Sequence, residues 1–127
     1  LGAVAEDAAA LAGPINDLER DQDADGRWRA LVNERVAGDY AAFAARTDAI
    51  LFLKAPGFDV VLDWRCQQEA DLLGVAPDAL PEAERQRLTG FIQFFERITR
   101  RMLTGGVQAD VTVALDRERR PCANSGA

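Results

Sequence analysis

A continuous apolar run that stops at a Pro-Gly turn constrains this chain more than any other feature. Residues 50–53 form the run, Pro56 and Gly57 end it, and apolar residues then recur at helical spacing. An uninterrupted apolar run is typical of a strand covered on both faces, which is usually a parallel strand of an α/β sheet. The pattern therefore predicts a strand over residues 49–54, a turn, and a helix over about residues 58–73.

The predicted helix carries Arg65, Gln68 and Glu69 on one polar face, because residues three and four positions apart are neighbours on a helix. Ligands of open α/β folds bind outside the carboxyl ends of the strands, so this face is well placed to meet one. In one interpretation Arg65 binds a phosphate through two nitrogen donors, while Gln68 and Glu69 orient it or a sugar hydroxyl. The residue types alone favour the other interpretation, an Arg65–Glu69 ion pair on the helix surface.

A second strand is predicted over residues 110–115, where apolar and small residues alternate, and a long helix over residues 81–103 precedes it. Another helix is expected over residues 27–46, with a weak middle at Gly38. Two strands separated by a helical excursion predict a parallel pair with a right-handed crossover, so the fold class is α/β and mostly helical. Two strands alone make a poor sheet, and the chain starts at Leu1 rather than Met, so we expect a part of a larger protein.

Other polar and aromatic residues are candidates for binding. Asn16 and Glu19 follow Pro14 in an irregular segment, where ligand binding and turn capping are equally good interpretations. The aromatic residues at helical spacing are expected in the core rather than stacked on a base. They are Trp28, Tyr40, Phe91, Phe94 and Phe95. The arginines within residues 97–101 are expected at a solvated helix end rather than on a phosphate.

Composition argues against several classes of function. The net charge of −6 gives no basic field for nucleic acid or anionic membranes, and no apolar run approaches the roughly 20 residues that span a bilayer. The absence of histidine excludes Ser-His-Asp and His-metal chemistry within the chain. Cys66 and Cys122 make neither a disulfide framework nor a metal cluster, so no metal ligand is assigned. We expect a soluble, cytoplasmic protein that binds neither nucleic acid nor membrane.

Five blocks of sequence then occur in a familiar order. They are P-I-N-D-L-E at 14–19, W-R-x-x-V-N-E-R at 28–35, A-P-x-F-x-x-V-x-x-W-R-x-x-Q-E at 55–69, F-I-Q-F-F-E-R-I-T-R at 91–100 and A-D-V-x-x-x-L-D at 109–116. This order resembles the C-terminal half of the bacterial D-glycerate kinase-like proteins, P-loop kinases related to the uridine kinase and phosphoribulokinase group. The resemblance implies that residues 1–127 are the C-terminal part of one P-loop kinase domain, a fragment of its parallel sheet whose fourth and fifth strands are the two predicted here.

The resemblance also implies a reaction and its residues. An ATP-dependent kinase of this kind transfers the γ-phosphate of ATP to a hydroxyl of a small molecule. Arg65 is implied as the catalytic lid arginine, and Arg65 and Gln68 as contacts of the ATP phosphates. Asn16 and Glu19 are implied at the acceptor pocket, with Glu69 on the substrate side and supporting the lid. ATP and Mg²⁺ would be bound mainly by an N-terminal P-loop portion that these residues do not include, so this chain alone is expected to be inactive.

Two alternatives stay open. The acceptor is either a glycerate-like hydroxy acid or a nucleoside of the uridine type. A different class of protein is a non-catalytic helical interaction or regulatory module, which binds a partner through an exposed sheet edge and aromatic helix faces. The absence of a G-x-x-x-x-G-K-[ST] loop favours this module, since Lys54 is the only lysine and has no glycine cradle beside it. The sequence predicts no oligomeric state.

Overall fold

A computed structural model describes residues 1–122 of the chain. The α-helices are α1 (Ala8–Leu11), α2 (Asp17–Gln22), α3 (Arg27–Arg35), α4 (Ala41–Ala44), α5 (Val61–Leu73) and α6 (Glu82–Leu103). The strands are β1 (Leu51–Lys54) and β2 (Val111–Ala114), a π-helical turn spans Val36–Tyr40, and 3-10 turns span Phe58–Val60 and Pro77–Ala79. None of the helices in these 122 residues has the length and apolarity needed to cross a membrane.

The two strands pair in parallel, as the sequence predicts. Leu51 lies opposite Val111, and Lys54 lies opposite Ala114. The pairing begins at Asp110, whose backbone N–H donates to the Ile50 carbonyl at 2.9 Å and whose carboxylate accepts from the Ile50 N–H at 2.7 Å. Because α5 and α6 lie between the strands in the chain, the α/β class and the mostly helical content are confirmed.

The described residues do not cover β1 on both faces, as expected for two strands that lack neighbouring strands. Leu51 and Leu53 are each more than half exposed, whereas Phe52 between them is half-buried. Side chains of a strand alternate between the two faces of a sheet, so one apolar face of β1 is open. Val111, the partner of Leu51 on β2, is exposed on the same face.

The core lies between α5, α6 and the segment that joins them. Cys66 and Ala70 of α5 pack with Leu80 and with Leu88 of α6, and Ala70 and Leu88 are fully buried. α5 ends at Gly74, whose backbone has a φ of 69° and so takes the left-handed conformation that closes many helices. These contacts fix α5 against α6 and thereby set the positions of their polar side chains.

The helix predicted over residues 27–46 is interrupted where its glycine weakens it. α3 gives way at Val36 to the π-helical turn, which contains Gly38, and α4 follows directly. The chain therefore stays helical through Gly38, and the π-helical turn lies where the low helix propensity of glycine weakens the α-helix.

The prediction that the aromatic residues at helical spacing form the core is wrong for most of them. Trp28 is 62% exposed and Phe94 is 64% exposed, and Tyr40 and Phe91 are also on the surface. Phe95 is half-buried and meets Phe91 edge to face, with 5.6 Å between the ring centroids. A helical period identifies an apolar face, but burial needs a second element on that face, and none of the described elements covers these side chains.

Candidate functional site

A cavity of about 330 Å³ lies between the N-terminal segment, α2, α3 and α6. Its charged wall consists of Glu6, Glu19, Asp23, Arg29, Arg97 and Arg101. Its apolar and aromatic wall includes Leu18, Trp28, Val32, Val36, Phe94 and Ile98. A cavity of this size with apolar walls and a few polar groups is the form that small-molecule sites usually take.

Arg97 is the centre of the charged wall. Its Nε and Nη2 atoms donate to the two carboxylate oxygens of Glu19 at 2.8 and 2.6 Å, and its Nη1 donates to Glu6 at 3.2 Å. The carbonyls of Ala10 and Gly13 accept two further bonds at 2.9 and 2.7 Å. The side chain is only 11% exposed, so the expectation of a solvated helix end is wrong for Arg97. The guanidinium instead ties the N-terminal segment and α2 to α6.

The predicted site residues Asn16 and Glu19 lie together at the start of α2. The Asn16 side chain accepts from the Glu19 N–H at 3.0 Å and so caps α2, while the Glu19 carboxylate accepts from the N–H of Ile15, the residue before the cap, at 3.0 Å. The Asn16 amide also donates to the Gln93 carbonyl at 3.0 Å and to Glu96 at 3.1 Å. Asn16 therefore caps α2 and fixes it to α6, and Glu19 reaches the cavity wall.

A second charged pair is buried on the other side of the cavity. The Asp23 carboxylate accepts from the backbone N–H groups of Trp28 and Arg29 at 2.7 and 3.0 Å and from the Arg29 guanidinium at 3.1 Å. Arg29 also donates to the carbonyls of Asp23 and Leu11 at 2.6 and 2.7 Å. Gly26 has a φ of 72°, and a side chain there would press on the Arg29 guanidinium. The pair therefore depends on glycine at this turn.

The pKa values of Glu19 and Asp23 are both lowered. Burial raises the pKa of Glu19, but the hydrogen bonds from Arg97 and from the Ile15 N–H outweigh it. Burial also raises the pKa of Asp23, where the backbone N–H donors of Trp28 and Arg29 outweigh it together with the Arg29 guanidinium. Both carboxylates are therefore ionised at neutral pH.

Arg101 differs from the other two arginines in the cavity wall. Its Nε and Nη2 donate only to backbone carbonyls, those of Val4 at 3.2 Å and Ala5 at 3.3 Å. No carboxylate of the described residues forms an ion pair with it, and its Nη1 has no hydrogen-bond partner there. Gly106 packs directly against its stem, where a Cβ atom would overlap it. The Arg101 guanidinium is thus fixed by two backbone carbonyls, and among the described residues its Nη1 has no acceptor.

The predicted lid residues lie on α5, outside the cavity wall. Arg65 Nη1 donates to Gln68 at 2.6 Å, and the guanidinium lies over the Phe91 ring at 5.5 Å. Its Nε atom is buried and has no hydrogen-bond partner within the 122 residues that the structure describes. The Arg65–Glu69 ion pair considered from the sequence does not form; Arg65 bonds Gln68 instead, and Glu69 accepts from Arg87 at 3.1 Å.

The structure thus separates the predicted site residues into two groups. Asn16 and Glu19 contact the middle of α6, whereas Arg65 and Gln68 share the face of α5 that meets Phe91. No hydrogen bond or ion pair between described residues joins the two groups directly. Across residues 1–122, no cluster of three or more Cys, Asp or Glu side chains is arranged to hold a metal ion, so these residues do not fit a Mg²⁺ site.

Comparisons of the chain with protein-family models, with curated proteins and with solved structures gave no match.

Sequence reasoning missed most of the charged wall. The sequence patterns give no role to Glu6, Asp23 or Arg29, and they place Arg97 and Arg101 at a solvated helix end. The partners of the two arginines are distant in the chain: Arg97 is 78 positions from Glu19, and Arg101 is 97 positions from Val4. The one local signal was the Asn-x-x-Glu spacing at residues 16–19, a capping-box pattern that places Glu19 in the first turn of a helix.

Proposed function

We propose that this chain is the lid-bearing and acceptor-side part of an ATP-dependent small-molecule kinase of the D-glycerate kinase-like type. It transfers the γ-phosphate of ATP to a hydroxyl group and works in the cytoplasm. One observation carries the proposal: β1 and β2 are parallel, so their carboxyl ends meet at one edge, and the arginine-bearing α5 follows directly from that edge. The five sequence blocks agree with this arrangement.

The lid role rests on the position and bonding of Arg65. The neighbouring Trp64 donates from its indole to the Arg117 carbonyl at 2.9 Å, so this part of α5 lies beside the segment that follows β2. Phosphoryl transfer depends mainly on positioning and on neutralising charge, which an arginine supplies. Among residues 1–122 the Arg65 Nε has no acceptor, and a phosphate oxygen would provide one. Gln68 holds the other side of the guanidinium, and Glu69 anchors α5 to α6 through Arg87.

The acceptor side is the cavity whose wall contains Glu19. Asn16 positions α2, and Glu19 with Arg97 forms a rigid charged wall beside which a small polar molecule can be oriented. ATP and Mg²⁺ are held mainly by a P-loop portion preceding these residues, and when bound they supply the phosphoryl group and neutralise its charge.

The test uses the full reading frame that contains these residues. We expect the DNA upstream of Leu1 to encode a G-x-x-x-x-G-K-[ST] loop after a strand, and the product to release ADP in a coupled assay. A panel of hydroxy acids and nucleosides then identifies the acceptor, because only the true acceptor raises ADP release above the rate of ATP hydrolysis. A start codon directly before Leu1, or no acceptor-dependent ADP release, would contradict the proposal.

A non-catalytic interaction module is the second candidate, and the exposed apolar side chains favour it. Trp28, Tyr40 and Phe43 are each more than half exposed, as are Leu51 and Leu53 of β1. Large apolar surfaces of this kind mark protein interfaces. A missing upstream P-loop together with specific binding of another protein would support the module, whereas acceptor-dependent ADP release would reject it.

A further inference from the structure

The charges around the cavity are not evenly paired. Arg29 is saturated by Asp23 and backbone carbonyls, and Arg97 is saturated by Glu6, Glu19 and two carbonyls. Arg101 is the remaining cation of the wall, and carbonyl dipoles rather than a carboxylate hold it. A partly buried guanidinium without a counter-ion favours a ligand that brings one negative charge.

Arg101 is also fixed in place before any ligand arrives. Two of its nitrogens are occupied by the carbonyls of Val4 and Ala5, and its stem is confined by Gly106. Arg101 lines the cavity, and its Nη1 has no acceptor among the described residues, so this nitrogen remains available as a donor. When a carboxylate accepts from this nitrogen, the Arg101 side chain loses little conformational entropy, because its position is already fixed.

The rest of the wall restricts the ligand to a single charge and an apolar body. Glu6 and Glu19 also face the cavity, so a doubly charged group such as a phosphate would meet their repulsion. Val32 and Ile98 line the apolar wall, with Trp28 and Phe94 largely exposed beside them. An apolar or aromatic body would cover these surfaces, and rings contribute beyond the area that they bury.

We propose that the cavity binds a small monocarboxylate with an apolar or aromatic body, its carboxylate on Nη1 of Arg101. Within the proposed kinase the acceptor would be a member of this class that also carries a hydroxyl, which attacks the γ-phosphate as ADP leaves. Only that role of the ligand as acceptor rests on the proposed function. Binding itself requires neither ATP nor the P-loop portion.

The experiment compares four probes by calorimetry and two-dimensional NMR on the 127-residue chain. They are 3-phenylpropionate, the uncharged 3-phenylpropionamide, the cationic 3-phenylpropylamine and glycerate, which has a carboxylate without an apolar body. We expect phenylpropionate to bind about tenfold more tightly than the amide, since one charge-assisted hydrogen bond distinguishes them, and the amine and glycerate to bind more weakly than phenylpropionate. The indole signal of Trp28 should shift, while that of Trp64, which lies outside the cavity wall, should not.

Variants assign the preference to one side chain. Arg101→Met should remove the preference for the carboxylate while the amide binds as before, and Arg101→Lys, which keeps the charge, should retain part of the preference. Arg100→Met is the matched control, because Arg100 pairs with Glu96 and does not line the cavity. The wild-type comparison of carboxylate with amide tests the proposal even where a variant fails to fold.

Three results would overturn the inference: equal binding of carboxylate and amide by the wild-type chain, tighter binding of the amine or glycerate, or a preference that survives Arg101→Met. The outcomes for the two proposals are distinguishable. Carboxylate binding without ADP release from the full reading frame would reject the kinase alone. ADP release without carboxylate preference would reject this inference alone.

Discussion

Arg97 and Glu19 face each other in a two-bond ion pair, with Nε 2.8 Å from Oε1 and Nη2 2.6 Å from Oε2. Each side chain is 11% exposed, so the pair is largely screened from water. Because the same guanidinium holds Glu6 and the carbonyls of Ala10 and Gly13, it organises the whole N-terminal segment around the cavity. The shape of the cavity therefore depends on this one pair.

Replacing Glu19 with glutamine should destabilise the chain by about 2–4 kcal/mol, because it leaves the buried Arg97 charge with one fewer carboxylate. Urea unfolding followed by circular dichroism measures the change. Asp17→Asn is the matched control in the same helix, since Asp17 is exposed and pairs with an exposed arginine. Equal effects of the two substitutions would contradict the importance of the pair.

The free energy of unfolding should fall as the solution is acidified. The pKa values of Glu19 and Asp23 are lowered in the folded chain, so the unfolded chain binds more protons in acid. The stability that these carboxylates provide is complete above their unfolded pKa values of about 4 and is lost as pH falls through the lower folded values. Urea unfolding between pH 7 and pH 3 should show this decline, and the decline should be shallower in Glu19→Gln. If the free energy of unfolding of Glu19→Gln depends on pH as steeply as that of the wild type, Glu19 does not contribute to the pH dependence.

The same Gly→Ala substitution should have opposite effects at two positions. Gly90 lies within α6 with open space around it, so alanine should stabilise the chain by about 1 kcal/mol through helix propensity. At Gly106 a Cβ atom would overlap the stem of Arg101, so alanine should lower the melting temperature and displace that guanidinium. Calorimetric melting of both variants shows whether each melting temperature rises or falls relative to the wild type. Stabilisation by Gly106→Ala would show that Arg101 is not confined.

In the protein encoded by the full reading frame, Arg65→Ala should lower kcat/KM by roughly 100-fold or more, as expected for loss of a group that stabilises transferring charge. Arg35→Ala is the control, because Arg35 is exposed, pairs with Asp39 and lies outside both α5 and the cavity wall. Circular dichroism should show both variants folded. Unchanged kinetics in Arg65→Ala would remove Arg65 from the lid role.

Local sequence patterns predicted the secondary-structure elements that depend on residues close together in the chain. The apolar run before Pro56 forms β1, the alternation after Asp110 forms β2, and Gly38 lies in the π-helical turn that interrupts the α-helical hydrogen bonding. Burial was predicted less well, because it depends on what packs against a face. Trp28 and Phe94 have the spacing of core residues, yet no described element lies over them.

The candidate site was predictable only in part, because its contacts join distant segments. Asn16 and Glu19 were singled out from their setting beside Pro14, and the structure places both at the α2–α6 contact. Arg101 at the end of α6 lies beside Val4 of the N-terminal segment only because the chain between them folds back. No sequence pattern in the N-terminal segment or in α6 predicts that contact.

The most direct test of the acceptor cavity is a substitution that fills it. In the full-length protein, Val32→Phe places a ring in the cavity. Leu31→Phe is the control, because Leu31 is exposed and does not line the cavity. Steady-state ADP release should show the acceptor KM of Val32→Phe raised about tenfold or more, its ATP KM within about twofold of wild type, and Leu31→Phe unchanged. An acceptor KM that Val32→Phe leaves unchanged would contradict the assignment of the cavity as the acceptor site.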